Sequence, residues 1–212
     1  MEKTRATTIQ QRFGFADDDL KTSKHDEIML WLNDNIATVV NELLRNEWSE
    51  EELARLNGGL ETALTLTDLP PRRLVEVGDI AWEAPVLSEN KYSKYIVGFV
   101  DLRVQCIQDC LCWTQRHERY GSVYWLDQDG EKIPKEKTRW WVGRESRGLL
   151  CFEVKTSIPS LGEVIRQIKM YEEYQGGRFV VVSPDARYTK ALKSQGIWFY
   201  HYKENSYEET MR

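Results

Sequence analysis

The sequence predicts one α/β domain in which helices cover both faces of a sheet. Three observations lead there: apolar residues recur at helical spacing near the N-terminus, apolar runs of strand length follow, and helices then alternate with strands to the C-terminus. With 212 residues, 41% of them hydrophobic, the chain can bury one substantial core. Eight tryptophans and ten tyrosines require burial or a partner, which argues against a disordered chain.

Residues 1–24 are polar and read as an arm or a short helix, with Asp17, Asp18 and Asp19 in a row. From His25 to Glu47 the spacing of Ile28, Leu32, Ile36, Val39 and Leu43 predicts a helix, with Ser23 placed to cap it. Ser49 and Glu52 form a capping-box pattern that opens a second helix through Leu56. Gly58 and Gly59 end it, and Pro70-Pro71 closes the helical part at residues 25–72. Residues 73–212 form the core. Strands are expected at Asp79–Leu87, Tyr95–Gln105 and Gly148–Lys155. Between the last two lies an excursion at about 106–147, where Asp129-Gly130 reads as a hairpin turn joining SVYWL to TRWWV. A helix from Leu161 to about Tyr174 stops at Gly176-Gly177. A strand at Phe179–Val182, a helix over Pro184–Gln195 and a strand at Ile197–Tyr202 complete the chain.

Composition narrows the function classes. No apolar run approaches the eighteen residues of a membrane span. Met1 to Gln11 is polar and lacks the apolar stretch of a secretory signal. The four cysteines, 106, 110, 112 and 151, are too few and unevenly spaced for a secreted scaffold, so reduced thiols and a cytoplasmic location are expected. Cys106, Cys110 and Cys112 have CxxxCxC spacing, but no CxxC knuckle accompanies them and Cys151 lies inside an apolar run, which weighs against a zinc or iron–sulfur site. The net charge of −5 argues against nucleic acid only if charge is spread evenly. It is not. Glu131–Arg147 carries six basic residues, Lys132, Lys135, Lys137, Arg139, Arg144 and Arg147, against three acids, with Trp140 and Trp141 between them. Cations interleaved with aromatic rings suit an arm that tracks a nucleic-acid strand; the opposing reading is a solvated hairpin whose tryptophans pack on the sheet.

The chemistry concentrates at Glu153-Val154-Lys155. Positions i and i+2 of a strand share a face, so carboxylate and ammonium project side by side. Two other acid-x-Lys pairs occur, Asp19/Lys21 and Glu89/Lys91, but neither interrupts an apolar run, where two charges are expensive unless used or paired. A cross-strand ion pair would also explain Glu153/Lys155. Asp101 tilts the balance, because it interrupts YIVGFV as Glu153 interrupts LLCF. Carboxylates on two neighbouring strands are the oxygen ligands of a hard cation such as Mg²⁺ or Mn²⁺. Lys155 beside them could hold an attacking water or stabilise phosphoryl charge, and Gly98 permits a close approach to its strand. Together these residues describe metal-assisted phosphodiester hydrolysis.

Gly98-Phe99-Val100-Asp101, Glu153-Val154-Lys155 and Gln167-Ile168-Lys169-Met170-Tyr171 resemble the GxxD, (D/E)xK and QxxxY motifs of the PD-(D/E)xK nucleases, closest to the RecB-like exonuclease branch. The resemblance covers about residues 79–202. It implies a restriction-endonuclease-like three-layer α/β/α core with a mixed central sheet and a β-hairpin excursion. It further implies Asp101 and Glu153 as metal ligands, Lys155 as the catalytic lysine, and Gln167 and Tyr171 positioning DNA or the site. That family usually adds a ligand from its first helix, for which His25 and Glu27 both qualify by position. His25 lies on the arc of Ile28, Leu32 and Ile36, while Glu27 points about 100° away, which favours His25. The iron–sulfur branch places its cysteines elsewhere, so no cluster is expected. The resulting expectation is a Mg²⁺- or Mn²⁺-dependent deoxyribonuclease, with RNA still open as a substrate and a homo-oligomer or partner proteins of a DNA-processing or defence system open as company. The competing expectation is a nuclease-like module that binds nucleic acid or protein without cutting.

Overall fold

The computed structural model describes residues 23–44, 47–58, 63–89, 94–119, 122–126, 129–133 and 139–203. Most of the N-terminal arm, Gly59, Lys135 and Lys137 lie outside them. In chain order the elements are α1 (Ser23–Asp34), α2 (Ile36–Leu43), α3 (Glu50–Asn57), β1 (Glu76–Glu89), β2 (Lys94–Trp113), β3 (Gln115–Arg119), β4 (Ser122–Leu126), β5 (Lys132–Ile133), β6 (Trp140–Val154), α4 (Leu161–Glu172), β7 (Arg178–Ser183), α5 (Thr189–Ser194) and β8 (Trp198–His201). Short 3₁₀ turns occupy Leu66–Asp68 and Ala186–Tyr188. The chain is a mixed α/β protein that divides into two compact units. One draws on Met1–Leu43, Val77–Cys106 and Gly148–Arg212, the other on Leu44–Glu76 and Ile107–Arg147. Among the described residues no helix is long and apolar enough to cross a membrane.

The first unit is built on a five-stranded sheet of order β1-β2-β6-β7-β8. β7 runs parallel to both of its neighbours, with Val154 opposite Val182 and Val182 opposite Tyr200. Phe179, Val180, Val181 and Val182 are all at most 1% exposed, so β7 is covered on both faces. Alternation decides which side chain goes where. Phe179 and Val181 join Cys151 and the α4 residues Val164, Ile168 and Tyr171 in one core cluster. On β8, Tyr200 packs its ring against Trp31 of α1 and donates a 2.8 Å hydrogen bond to Glu42 of α2.

The elements depart from expectation in a few places. The single helix expected from His25 to Glu47 is two helices that meet at Asn35, whose amide donates to the Trp31 carbonyl at 2.8 Å, the same oxygen its own backbone N–H uses. The Ser49–Glu52 capping box forms as expected, with reciprocal bonds of 3.1 and 3.0 Å. β2 and β6 are longer than the apolar runs that announce them. The hairpin across Asp129-Gly130 also has a different second strand. SVYWL pairs with Lys132–Ile133, Trp125 lying opposite Ile133, and with β3, while Trp140, Trp141 and Val142 open β6. Gly130 makes that turn with φ +78°.

The second unit has its own core, where Leu53, Leu56, Leu69 and Leu111 pack with Trp48, Trp113 and Trp140. Beside it Asp109 sits in mid-strand and is 1% exposed. Its carboxylate accepts from the Arg73 backbone at 2.8 Å, from the Arg73 guanidinium at 2.7 Å and from Arg144 at 3.1 Å. Those donors let the strand continue through an acid. Burial works to raise the Asp109 pKa, but the bonds from Arg73 and Arg144 outweigh it and hold the carboxyl below its ordinary value. Its stabilisation is therefore present above the usual carboxylate range and lost as pH falls through the lowered value. Asp109→Asn is expected to lower unfolding stability by about 2 kcal/mol near neutral pH. Denaturant titrations of both proteins measure this, and the gap should close in strong acid.

Candidate active site

His25, Asp101, Glu153, Lys155, Gln167 and Tyr171 all belong to the first unit. Asp101 on β2 and Glu153 on β6 stand on neighbouring strands, and the Val154 N–H donates to Asp101 Oδ2 at 2.7 Å. Lys155 follows β6 directly, and its N–H bonds to the Val182 carbonyl at 2.9 Å, which extends the parallel pairing with β7 by one residue. This fixes the strand phase, so Glu153 and Lys155 share a face and Lys155 Nζ lies 3.2 Å from Glu153 Oε1. Asp101, Glu153 and Lys155 are each at most 5% exposed.

Helix α4 supplies the next layer. Gln167 and Tyr171, four residues apart, lie on one face of it, both buried. The Gln167 amide donates to Glu153 Oε1 at 2.8 Å and lies 3.2 Å from the Tyr171 hydroxyl. Tyr171 in turn lies against β2, where a Cβ on Gly98 would meet its ring carbon and its hydroxyl at 2.5 Å. Gly98 is thus the seat of the Tyr171 ring, a link between two motifs that spacing alone does not reveal.

Helix α1 enters from the N-terminal side. Trp31 packs edge-on against Tyr202, with ring centroids 5.0 Å apart, and the Tyr202 hydroxyl donates to Glu27 at 3.0 Å. Anchored there, the helix turns His25 inward, 6% exposed, with Nε2 at 3.6 Å from Asp101 Oδ2. Burial works to lower the His25 pKa, but Asp101 and the charge of Glu153 outweigh it, so the imidazole holds its proton above its ordinary value. Glu27 is directed elsewhere, its carboxylate 56% exposed and bonded to Lys24 and Tyr202.

Two carboxylates and an imidazole are a hard-to-borderline donor set that fits a divalent cation of the Mg²⁺ or Mn²⁺ class. Three of their ligand atoms do not converge within 4.8 Å of one another. Lys155 and Gln167 both engage Glu153 through Oε1, and Val154 and His25 both approach Asp101 through Oδ2.

Other expected site residues have different surroundings. Tyr171, expected to position DNA or the site, has no exposed surface, and its hydroxyl lies 3.2 Å from the Gln167 amide. Arg144 is committed to Asp109, Glu76 and the Leu74 carbonyl within its own unit. Trp140 packs on the second unit's core, which follows the packing alternative for that tryptophan. Lys132 and Arg139 are exposed, Lys135 and Lys137 lie outside the described residues, and so does the side chain of Arg147. No family model, curated protein or solved structure matches the chain.

Gly98→Ala is expected to destabilise the protein by about 1–3 kcal/mol through overpacking against Tyr171. In a Tyr171→Leu background the same substitution should cost distinctly less, a coupling that a double-mutant cycle of denaturation free energies measures.

Proposed function

We propose that the chain is a divalent-metal-dependent nuclease that hydrolyses DNA phosphodiester bonds on a restriction-endonuclease-like core. The observation that carries this reading is the buried Glu153–Lys155 pair on one strand face, one strand away from Asp101. Burying three charged side chains together costs several kcal/mol unless they are paired or used, and a structural ion pair needs one acid. Here there are two, with a histidine 3.6 Å from one of them.

Asp101, Glu153 and His25 would hold the cation, which when bound offsets negative charge on the scissile phosphate. The chain's own groups do the rest. Lys155 Nζ, fixed by Glu153, offers an ammonium to an attacking water or to a non-bridging phosphate oxygen. Gln167 holds the Glu153 carboxylate in one rotamer, and Tyr171, seated on Gly98, keeps α4 and hence Gln167 in register. The exposed Lys132 and Arg139 supply cationic surface for a phosphate backbone.

Incubation of the purified chain with linear and circular, single- and double-stranded DNA, and with RNA, in Mg²⁺ or Mn²⁺ with an EDTA control tests this. Cation-dependent DNA cleavage is expected. Lys155→Ala and Asp101→Asn should each reduce it by about 100-fold or more, with circular dichroism unchanged. Gln167→Ala should reduce it by about 10- to 100-fold. Full activity in both Lys155→Ala and Asp101→Asn contradicts the assignment, and DNA binding with no cleavage by the intact chain would favour the non-cutting module.

A further inference from the structure

The second unit gathers a different set of donors. Cys110 and Cys112 stand two residues apart on β2 and so project from one face of the pleat, with their sulfurs 3.5 Å apart. The neighbouring strand β6 brings Glu145, a carboxylate oxygen of which lies within 4.8 Å of both sulfurs. Among the described residues this is the trio of His, Cys, Asp or Glu donors that converges so closely. Gly143, also on β6, makes the approach possible, since a Cβ there would stand 2.9 Å from Cys112 Sγ and 3.4 Å from Cys110 Sγ. Cys110 is 1% exposed, Cys112 is half-buried and Glu145 is exposed. The cluster is anchored in the protein and open on one side.

Two chemistries suit paired thiols, and the strand geometry separates them. A disulfide between i and i+2 must bridge Cα atoms held about 6.6 Å apart by an extended strand, at the far edge of what the bond spans. A tetrahedral zinc ion with Zn–S bonds of about 2.3 Å sets its sulfurs about 3.8 Å apart, close to the observed separation, and takes a carboxylate as a further ligand. We infer that Cys110, Cys112 and Glu145 bind a thiophilic divalent cation of the zinc class, with its remaining coordination position facing solvent. Both thiols ionise as the cation binds, and their protons pass to solvent. Thiolate sulfur selects against Mg²⁺, so this site is separate in chemistry from the Asp101–Glu153 site and does not depend on the nuclease reading. Cys106 and Cys151, in the other unit, are unlike this pair, because burial pushes their thiols up to about 11 and about 12 and leaves them as core packing.

The test is a Co²⁺ titration of the full chain after chelator treatment under reducing, anaerobic conditions. A sulfur-to-cobalt charge-transfer band should appear, saturate at one ion per chain, vanish on addition of Zn²⁺ and persist in excess Mg²⁺. Cys112→Ser should weaken Co²⁺ binding at this band by at least about 10-fold. Glu145→Gln, a change at an exposed position that should leave folding intact, should weaken it measurably, while Cys106→Ser should leave it unchanged. Absence of the band in the folded chain overturns the inference, as does a band that survives both Cys112→Ser and Glu145→Gln at full affinity.

Discussion

Glu153 is a carboxylate with 1% exposure inside the apolar strand β6, and the surrounding architecture is arranged to make that tolerable. An isolated buried charge costs several kcal/mol, so its partners must be close and fixed. Lys155 is close because β6 continues its parallel pairing with β7 to the Lys155 N–H, which keeps the strand phase for one more residue. Gln167 is close because α4 lies on the sheet, and α4 can lie there because Gly98 leaves room for the Tyr171 ring. One buried acid thus ties together β2, β6, β7 and α4.

The second acid has a separate support. Asp101 receives the Val154 N–H from the neighbouring strand and faces His25, which reaches it because Trp31 and Tyr202 dock α1 beside the end of β8. A backbone donor and a histidine on one carboxylate, and a lysine and a glutamine on the other, create two acids with different surroundings. In the nuclease proposed above, that inequality would let the two carboxylates take different roles at one phosphate. In the second unit Asp109 is met differently: Arg73 and Arg144 both bond its carboxylate, and Arg144 also bonds Glu76.

What could be read from the sequence was what depends on short spacing. The i, i+2 pairing of Glu153 with Lys155, the i, i+4 pairing of Gln167 with Tyr171, and the Ser49–Glu52 box are properties of one strand or one helix, and each appears in the structure. The neighbouring of β2 and β6 followed from two acids in two apolar runs. What escaped depends on partners distant in sequence. β2 runs on past Asp109, whose carboxylate is met by Arg73 and Arg144. The burial of Tyr171 depends on a glycine 73 positions earlier, as a ring seated on Gly98 cannot also face solvent. Arg144 looked like part of a basic arm because its acidic partners, Asp109 and Glu76, lie far along the chain. CxxxCxC spacing carries no knuckle, whereas the pair that converges is two residues apart on a strand and is joined by a glutamate from the next strand.

The central claim is that Asp101 and Glu153 form a cation site, and calorimetric titration of Mn²⁺ into the full chain tests it most directly. Mn²⁺ should bind the unaltered chain and Cys112→Ser alike, and Glu153→Gln should lose at least about 10-fold in affinity while remaining folded. Binding to Glu153→Gln with undiminished affinity, or no binding to the unaltered chain, would contradict the account.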